Sequence, residues 1–380
     1  MKLIKLSSRN IALFILFFAT MITSLWPGNI YILFLFSIAT LLLLPFKRWW
    51  DGTGIAILFF SIFYCLIQRM NATGEISSGF VFVATLIAPV SFYRFGNWAM
   101  DVLNNDRNRM WFVFAFVLCY ILPVFLLTIA DIQLSGFVNE NRTLLGDLSD
   151  NNLAATLYGL MSSVGIGFIS ALFAKRFKME HKLLFVMIGI ISMVTVLHLV
   201  NRTGIVIFGV CVLFSFFYST KLQISKTIYA LFVVSVIVLA LRYSGVISDD
   251  IIDAYIKREN IESSEAYKLG GRSELWAQNF SNLLTEPFGW HRDQYAHNLW
   301  LYMAAMGGWF AFVPFLIATF KTLGCFLKIF RRHATPFNLI LLTSFVSMFC
   351  NSMVEPVIEG SLLFFVLFIM NWGMLKSISR

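Results

Sequence analysis

The sequence predicts an all-α polytopic membrane protein, with about 12 transmembrane helices, both termini in the cytoplasm and one long outer loop at about 244–296. Three observations carry this expectation. The 380 residues are 59% hydrophobic and only 13% charged, with a mean hydropathy of +0.78, whereas soluble domains carry about 25% charged residues. Apolar runs of roughly spanning length recur along the whole chain between polar or helix-breaking residues. Basic residues gather in alternate connections, as the positive-inside rule requires. A chain of this length has room for ten to thirteen spans at about 20 residues each, so residues 1–380 are expected to form a single membrane-embedded domain.

Taken in order, the apolar runs are 10–26, 29–45, 53–68, 78–93, 110–129, 152–174, 183–200, 204–219, 227–243, 297–320, 337–350 and 360–375. The first follows Lys2, Lys5 and Arg9 and leads into a second span without a small-residue cleavage site, so it reads as an anchor rather than a cleaved signal. Pro89 makes the fourth run the weakest helix of the set. Several runs are nearer 16 than 20 residues, short enough for one to be re-entrant. Asn201-Arg202-Thr203 leaves only a tight turn between the seventh and eighth runs. After the ninth comes one long extramembrane segment of about 50 residues. Within it Glu274–Leu284 has a helical pattern, preceded by Gly270-Gly271 and stopped by Glu286-Pro287.

Twelve crossings from a cytoplasmic N-terminus place 20 of the 29 basic residues inside and 16 of the 20 acidic residues outside. The segments at 175–182 (KRFKMEHK) and 328–333 (KIFRRH) are the densest inner clusters. Orientation thus accounts for the formal charge of +9, and no nucleic-acid partner is expected. Cys65, Cys119, Cys211, Cys325 and Cys350 lie in or beside apolar runs without metal-ligand spacing, which marks them as small core residues. The chain has no GxxxxGK[ST], HExxH, GxSxG or EF-hand pattern, so neither a metal nor a cofactor is expected.

Outward-facing cations are few in this topology, and each has two readings. Arg202, in a turn at the membrane boundary, either snorkels to lipid phosphate or forks onto a diphosphate or carboxylate. Arg272 follows two glycines and opens a helix, whose dipole also favours anions; the alternative is a surface salt bridge with Glu274 or Glu265. Trp276 and Asn279 share its helical face by spacing. His297 opens the tenth run, with Leu301, Ala304 and Gly308 at plus four, plus seven and plus eleven. Small residues there are expected to let another helix approach closely. A histidine so placed either accepts a proton from a hydroxyl near neutral pH or is a satisfied polar residue. Glu355 and Glu359, beside Pro356 and Gly360, either bind an arginine or a sugar hydroxyl or act as caps.

Taken together these residues resemble the O-antigen ligase and polymerase family of bacterial envelopes. Asn201-Arg202-Thr203-Gly204 is similar to its arginine turn, and Gly271-Arg272-Ser273-Glu274-Leu275-Trp276 to its glycine-arginine-xx-leucine-tryptophan segment. His297-Asn298, with Gly308 after nine intervening residues, resembles its histidine helix, and Asp150–Ala154 its aspartate-asparagine stretch. The resemblance covers roughly residues 140–375 and rests on the order, spacing and common outer placement of the motifs.

The resemblance implies metal-independent glycosyl transfer at the periplasmic face of the inner membrane, from an undecaprenyl-diphosphate-linked oligosaccharide. Arg202 and Arg272 would hold the diphosphate, which is also the leaving group. His297 would activate the acceptor hydroxyl, with inversion at the anomeric carbon. Asn298, Trp276, Arg142, Arg292 and Glu355 complete the expected substrate-binding set. The glycan acceptor is a lipid-linked repeat unit for a polymerase or the lipid A core for a ligase; membrane lipids and a chain-length regulator are the further partners implied. The outer loop is shorter than in ligases, and Ala311 stands where a ligase signature has glycine, threonine or tyrosine. Both departures favour the polymerase. A transporter or flippase of lipid-linked sugars is the rival from another class, but it would place charges in mid-span, whereas these lie at span ends.

Overall fold

The computed structural model describes residues 8–26, 28–45, 51–70, 79–137, 158–174, 177–220, 272–290, 298–354, 358 and 361–380. Every regular element among them is helical. In chain order they are α1 (Ser8–Ile22), α2 (Asn29–Leu43), α3 (Gly52–Met70), α4 (Gly79–Val102), α5 (Asp106–Ser135), α6 (Tyr158–Phe173), α7 (Met179–His198), α8 (Arg202–Thr220), α9 (Arg272–Thr285), α10 (Leu299–Phe330), α11 (Pro336–Val354) and α12 (Leu362–Ile378). Eleven of the twelve predicted runs coincide with helices; the ninth, 227–243, lies outside the described residues. Among the described residues, α3, α4, α5, α7, α8, α10 and α11 are long and apolar enough to cross a membrane, and α1, α2, α6 and α12 are shorter apolar helices. A chain this apolar favours helices because each satisfies its own backbone where no water can. The predicted weak point at Pro89 is an uninterrupted part of the 24-residue α4.

The chain divides into two compact units. One comprises Met1–Pro123, Arg272–Arg332 and Phe349–Arg380; the other comprises Val124–Gly271 and His333–Met348.

In the first unit, α1, α2, α4 and the start of α5 meet through phenylalanine. Phe17, Phe36 and Phe95 are fully buried, with ring centroids 4.7 Å (Phe17–Phe95) and 5.0 Å (Phe36–Phe95) apart. Where α4 meets α12, glycines face backbone reciprocally. A Cβ on Gly96 would overlap the Met370 carbonyl, and one on Gly373 the Tyr93 carbonyl. Such contacts bring helix backbones close enough for dispersion to hold them together without a hydrophobic driving force.

The tenth predicted span differs from its expectation. The Trp300 Nε1–H donates to Thr319 Oγ1 at 3.0 Å. In a straight helix these residues would stand about 28 Å apart, at 1.5 Å per residue, beyond the reach of both side chains. The helix therefore folds back on itself. The pivot is Gly308, at φ 57° and ψ −163°, a conformation open essentially only to glycine. Limb 299–307 doubles back against limb 309–330, and Trp300 also packs on Phe315 with ring centroids 6.1 Å apart. The second limb has 22 residues, about 33 Å, enough by itself for a bilayer core of about 30 Å. Gly308 is thus a hinge between limbs rather than part of one face with Leu301 and Ala304. The element that approaches it is the loop 286–290, whose Pro287 carbonyl a Cβ at Gly308 would overlap.

The second unit packs α6, α7, α8 and the first part of α11 through small polar residues. Ser347 Oγ donates to the Ser163 carbonyl at 2.7 Å, and the Ser215 and Thr343 hydroxyls lie 3.1 Å apart. α6 tightens into a 3-10 helix over Ile166–Phe173.

Replacing Gly308 by alanine imposes both a forbidden dihedral and an overlap. It should cost at least about 1–3 kcal/mol and lower the thermal unfolding midpoint of the purified protein. Gly324→Ala, in open space within the second limb, should leave the midpoint unchanged or raise it. Equal midpoints for Gly308→Ala and wild type would refute the pivot.

Candidate functional site: two arginine-bearing helix starts and a capped limb

Arg202 is the first residue of α8 and is half-buried. The turn before it is fully committed to backbone hydrogen bonds. The N–H groups of Leu199, Val200 and Asn201 donate to the carbonyls of Thr195, Leu197 and Val196 at 3.0, 3.1 and 3.0 Å. The Asn201 side-chain oxygen then accepts from the Gly204 N–H at 3.0 Å, capping α8. This gives the Asn-Arg-Thr-Gly motif a local cause. Asparagine caps, and the absence of a side chain at Gly204 lets α8 lie against Val196, where a Cβ would come within 2.5 Å of Cγ1. Val200 takes φ 50°, a left-handed conformation that a β-branched residue adopts only when its surroundings enforce it.

The end of α7 also holds a residue that the sequence reasoning did not single out. His198, the last residue of α7, is completely buried and uses both ring nitrogens. Its Nδ1–H donates to the Phe137 carbonyl at 2.7 Å, and Nε2 lies 2.7 Å from Asp131 Oδ2 in the last turns of α5. A carbonyl can only accept, so Nδ1 is the donor in the first of these bonds. One turn earlier, the hydroxyls of Thr128 and Thr195 lie 3.0 Å apart, a second rung between the same helices. Asp131 and His198 are 67 residues apart, so no spacing links them. The available signal was an acid and a histidine each at the end of an apolar run, where ionisable groups are expensive.

In the first unit, Arg272 opens α9, and Gly270-Gly271 and Glu286-Pro287 bracket this helix as expected. The Arg272 side chain lies outside the described residues. Trp276 is half-buried on α9. Asn279, one turn on, is fully buried; it accepts from Trp290 Nε1–H at 3.0 Å and donates to the Leu275 carbonyl at 2.6 Å. Leu283 and Trp290 close a small core with Ala304 and Ala305 of α10, so the predicted small-residue surface of α10 receives α9 and its following loop.

Asn298 is buried and caps α10, its side-chain oxygen accepting from the Trp300 and Leu301 N–H groups at 3.0 and 3.1 Å. Its Nδ2 donates to the Met353 carbonyl at 3.1 Å, near the end of α11. The amide thereby holds the start of the first limb, just after His297, to a second helix. His297, Arg292, Arg142 and Glu355 lie outside the described residues. Arg202 falls in the second unit, whereas Arg272, Trp276 and Asn298 fall in the first. Among the described residues no three histidine, cysteine, aspartate or glutamate side chains gather as a metal site would require.

These elements define a class: an all-helical protein with several helices long and apolar enough to span a bilayer. No protein-family model matches the chain, and a comparison with curated proteins finds no match.

Replacing Asn298 by alanine removes the cap and leaves the Met353 carbonyl without this donor. It should cost at least about 1 kcal/mol, read as a lower midpoint in thermal unfolding of the purified protein. Asn298→Ser retains an acceptor for the helix start and should recover part of the loss; a serine variant no better than alanine would refute the capping role.

Proposed function

We propose that this chain is an inner-membrane glycosyltransferase that polymerises lipid-linked polysaccharide repeat units at the periplasmic face, without a metal. The observation that carries the reading is the ordered set Asn201–Gly204, Gly271–Trp276 and His297-Asn298 with Gly308, whose resemblance to the O-antigen ligase and polymerase family is described above. The local geometry supports it. Two of these motifs put an arginine at the first position of a helix, where the helix dipole adds to the attraction for a diphosphate. The third follows its histidine with a buried asparagine cap, fixing the chain beside it.

In the proposed reaction, the acceptor hydroxyl gives its proton to His297 as its oxygen bonds to the anomeric carbon of the undecaprenyl-diphosphate-linked donor. The bond from that carbon to the diphosphate oxygen breaks in the same displacement, with inversion. Arg202 and Arg272 take up the charge that develops on the leaving diphosphate, the role a divalent cation fills in other transferases. Arg142, Arg292, Trp276 and Glu355 are assigned to the sugars and the diphosphate. The acceptor is a second lipid-linked repeat unit, and a chain-length regulator is the expected protein partner.

His297→Ala, Arg202→Ala and Arg272→Ala should each lower polymer formation about a hundredfold or more while the protein accumulates normally in the membrane. Normal polysaccharide ladders from all three would refute the assignment. In a deletion strain, lipid A core bearing a single repeat unit identifies the polymerase, whereas bare core with polymer retained on the lipid carrier identifies the ligase. A cysteine introduced at Ser264 should react with an impermeant reagent once the outer membrane is permeabilised; protection would overturn the topology.

A further inference from the structure

We propose that Asp131 and His198 are positioning residues for Arg202, an inference that rests on the diphosphate-binding reading of that arginine. Only three residues, Leu199 to Asn201, separate His198 at the end of α7 from Arg202 at the start of α8. The hydrogen bonds of that turn run back to Thr195, Val196 and Leu197, all in the last turn of α7. The direction in which α8 starts is therefore inherited from the end of α7. That end is held by the 2.7 Å bridges from the His198 ring to Asp131 and to the Phe137 carbonyl. The Thr128–Thr195 rung ties the same two helices one turn earlier, away from the turn, and the His198–Asp131 rung fixes the last residue of α7.

Val200 supplies the second, independent observation. Its positive φ of 50° is unfavourable for a β-branched side chain and relaxes unless both ends of the turn are fixed. The cap from Asn201 to Gly204 fixes the downstream end, and the His198 bridges fix the upstream end. Losing the pair would let Val200 return to negative φ, and the first turn of α8 would reorient with Arg202 on it. The pair acts on the reaction only through Arg202.

The test uses the full chain in lipid nanodiscs with inorganic pyrophosphate as the probe, comparing Arg202→Ala, Asp131→Ala and the double variant. Arg202→Ala and Asp131→Ala should each weaken pyrophosphate binding about tenfold or more, and the double variant should bind no more weakly than Arg202→Ala alone. A purely structural loss would instead add to the arginine loss. Asp131→Asn, whose amide can donate to a neutral His198 ring, should restore affinity to within about threefold of wild type. Thr195→Val, which removes only the other rung, should lower the unfolding midpoint and leave affinity unchanged. His198→Gln serves as the second disrupting variant should Asp131→Ala fail to accumulate, with the same non-additive result expected. Wild-type affinity in Asp131→Ala or His198→Gln, with Arg202→Ala weakened, would overturn the positioning role alone, as would additive losses. Wild-type affinity in Arg202→Ala would overturn the diphosphate reading itself, and the inference with it.

Discussion

A helix that reverses direction inside an apolar body must give up backbone hydrogen bonds at the reversal, and the groups released need new partners where water is scarce. In α10 one of these is the bond between the Trp309 N–H and the Ala305 carbonyl, which would cross Gly308 in a continuous helix. The loop after α9 replaces it twice over. The Pro287 carbonyl accepts from Trp309 at 2.8 Å, and the Trp290 N–H donates to Ala305 at 3.0 Å. Trp309 Nε1–H adds a third link, to the Leu283 carbonyl at 2.7 Å. The fold-back and the seat of α9 are therefore one construction. Gly308 makes the reversal sterically accessible, and the loop 286–290 makes it affordable in hydrogen bonds.

The two arginine-bearing helix starts are supported in different ways. α9 is held through its apolar and amide side chains, with Asn279 and Trp290 bonded to each other and Leu283 packed on Ala304 and Ala305. Its first residue is thus located by contacts made two or three turns later. In the first turn of α8, Arg202 and Thr203 are half-buried and Gly204 lies against Val196 of α7. The start of α8 is located instead from the preceding turn and, through that turn, from the ends of α7 and α5. A rigid origin is what binding a diphosphate demands, because a guanidinium fork contributes most when its geometry is already set before the ligand arrives.

How legible these features were follows from the range of the interactions behind them. The runs of apolar residues gave helices wherever the chain is described, since helix formation in apolar surroundings depends on local hydrogen bonds alone. The bounds of α9 were close because Gly270-Gly271 and Glu286-Pro287 are local signals. The fold-back at Gly308 was not legible as such. Gly307-Gly308 in an apolar run is equally compatible with close helix packing, and the deciding contact joins Trp300 to Thr319 across the pivot. The motif asparagines were read as parts of a resemblance, and their caps became visible only with the backbone in place. The Asp131–His198 pair was hidden for the same reason: nothing in either local sequence reports a partner 67 residues away.

Why an apolar chain keeps an ionisable pair at that point is an energetic question. A buried pair of this kind adds little net stability, because the desolvation of both groups consumes most of their attraction, and apolar residues of similar volume would serve as well or better. What such residues cannot provide is direction. Apolar contacts tolerate sliding along a helix face, whereas a ring held at 2.7 Å on both of its nitrogens admits one orientation. The adjoining turn carries a strained valine and ends in an arginine, so a small displacement of α7 would be transmitted to the guanidinium. A directional pair there is consistent with a requirement for position rather than for stability, and it places the requirement at the start of α8.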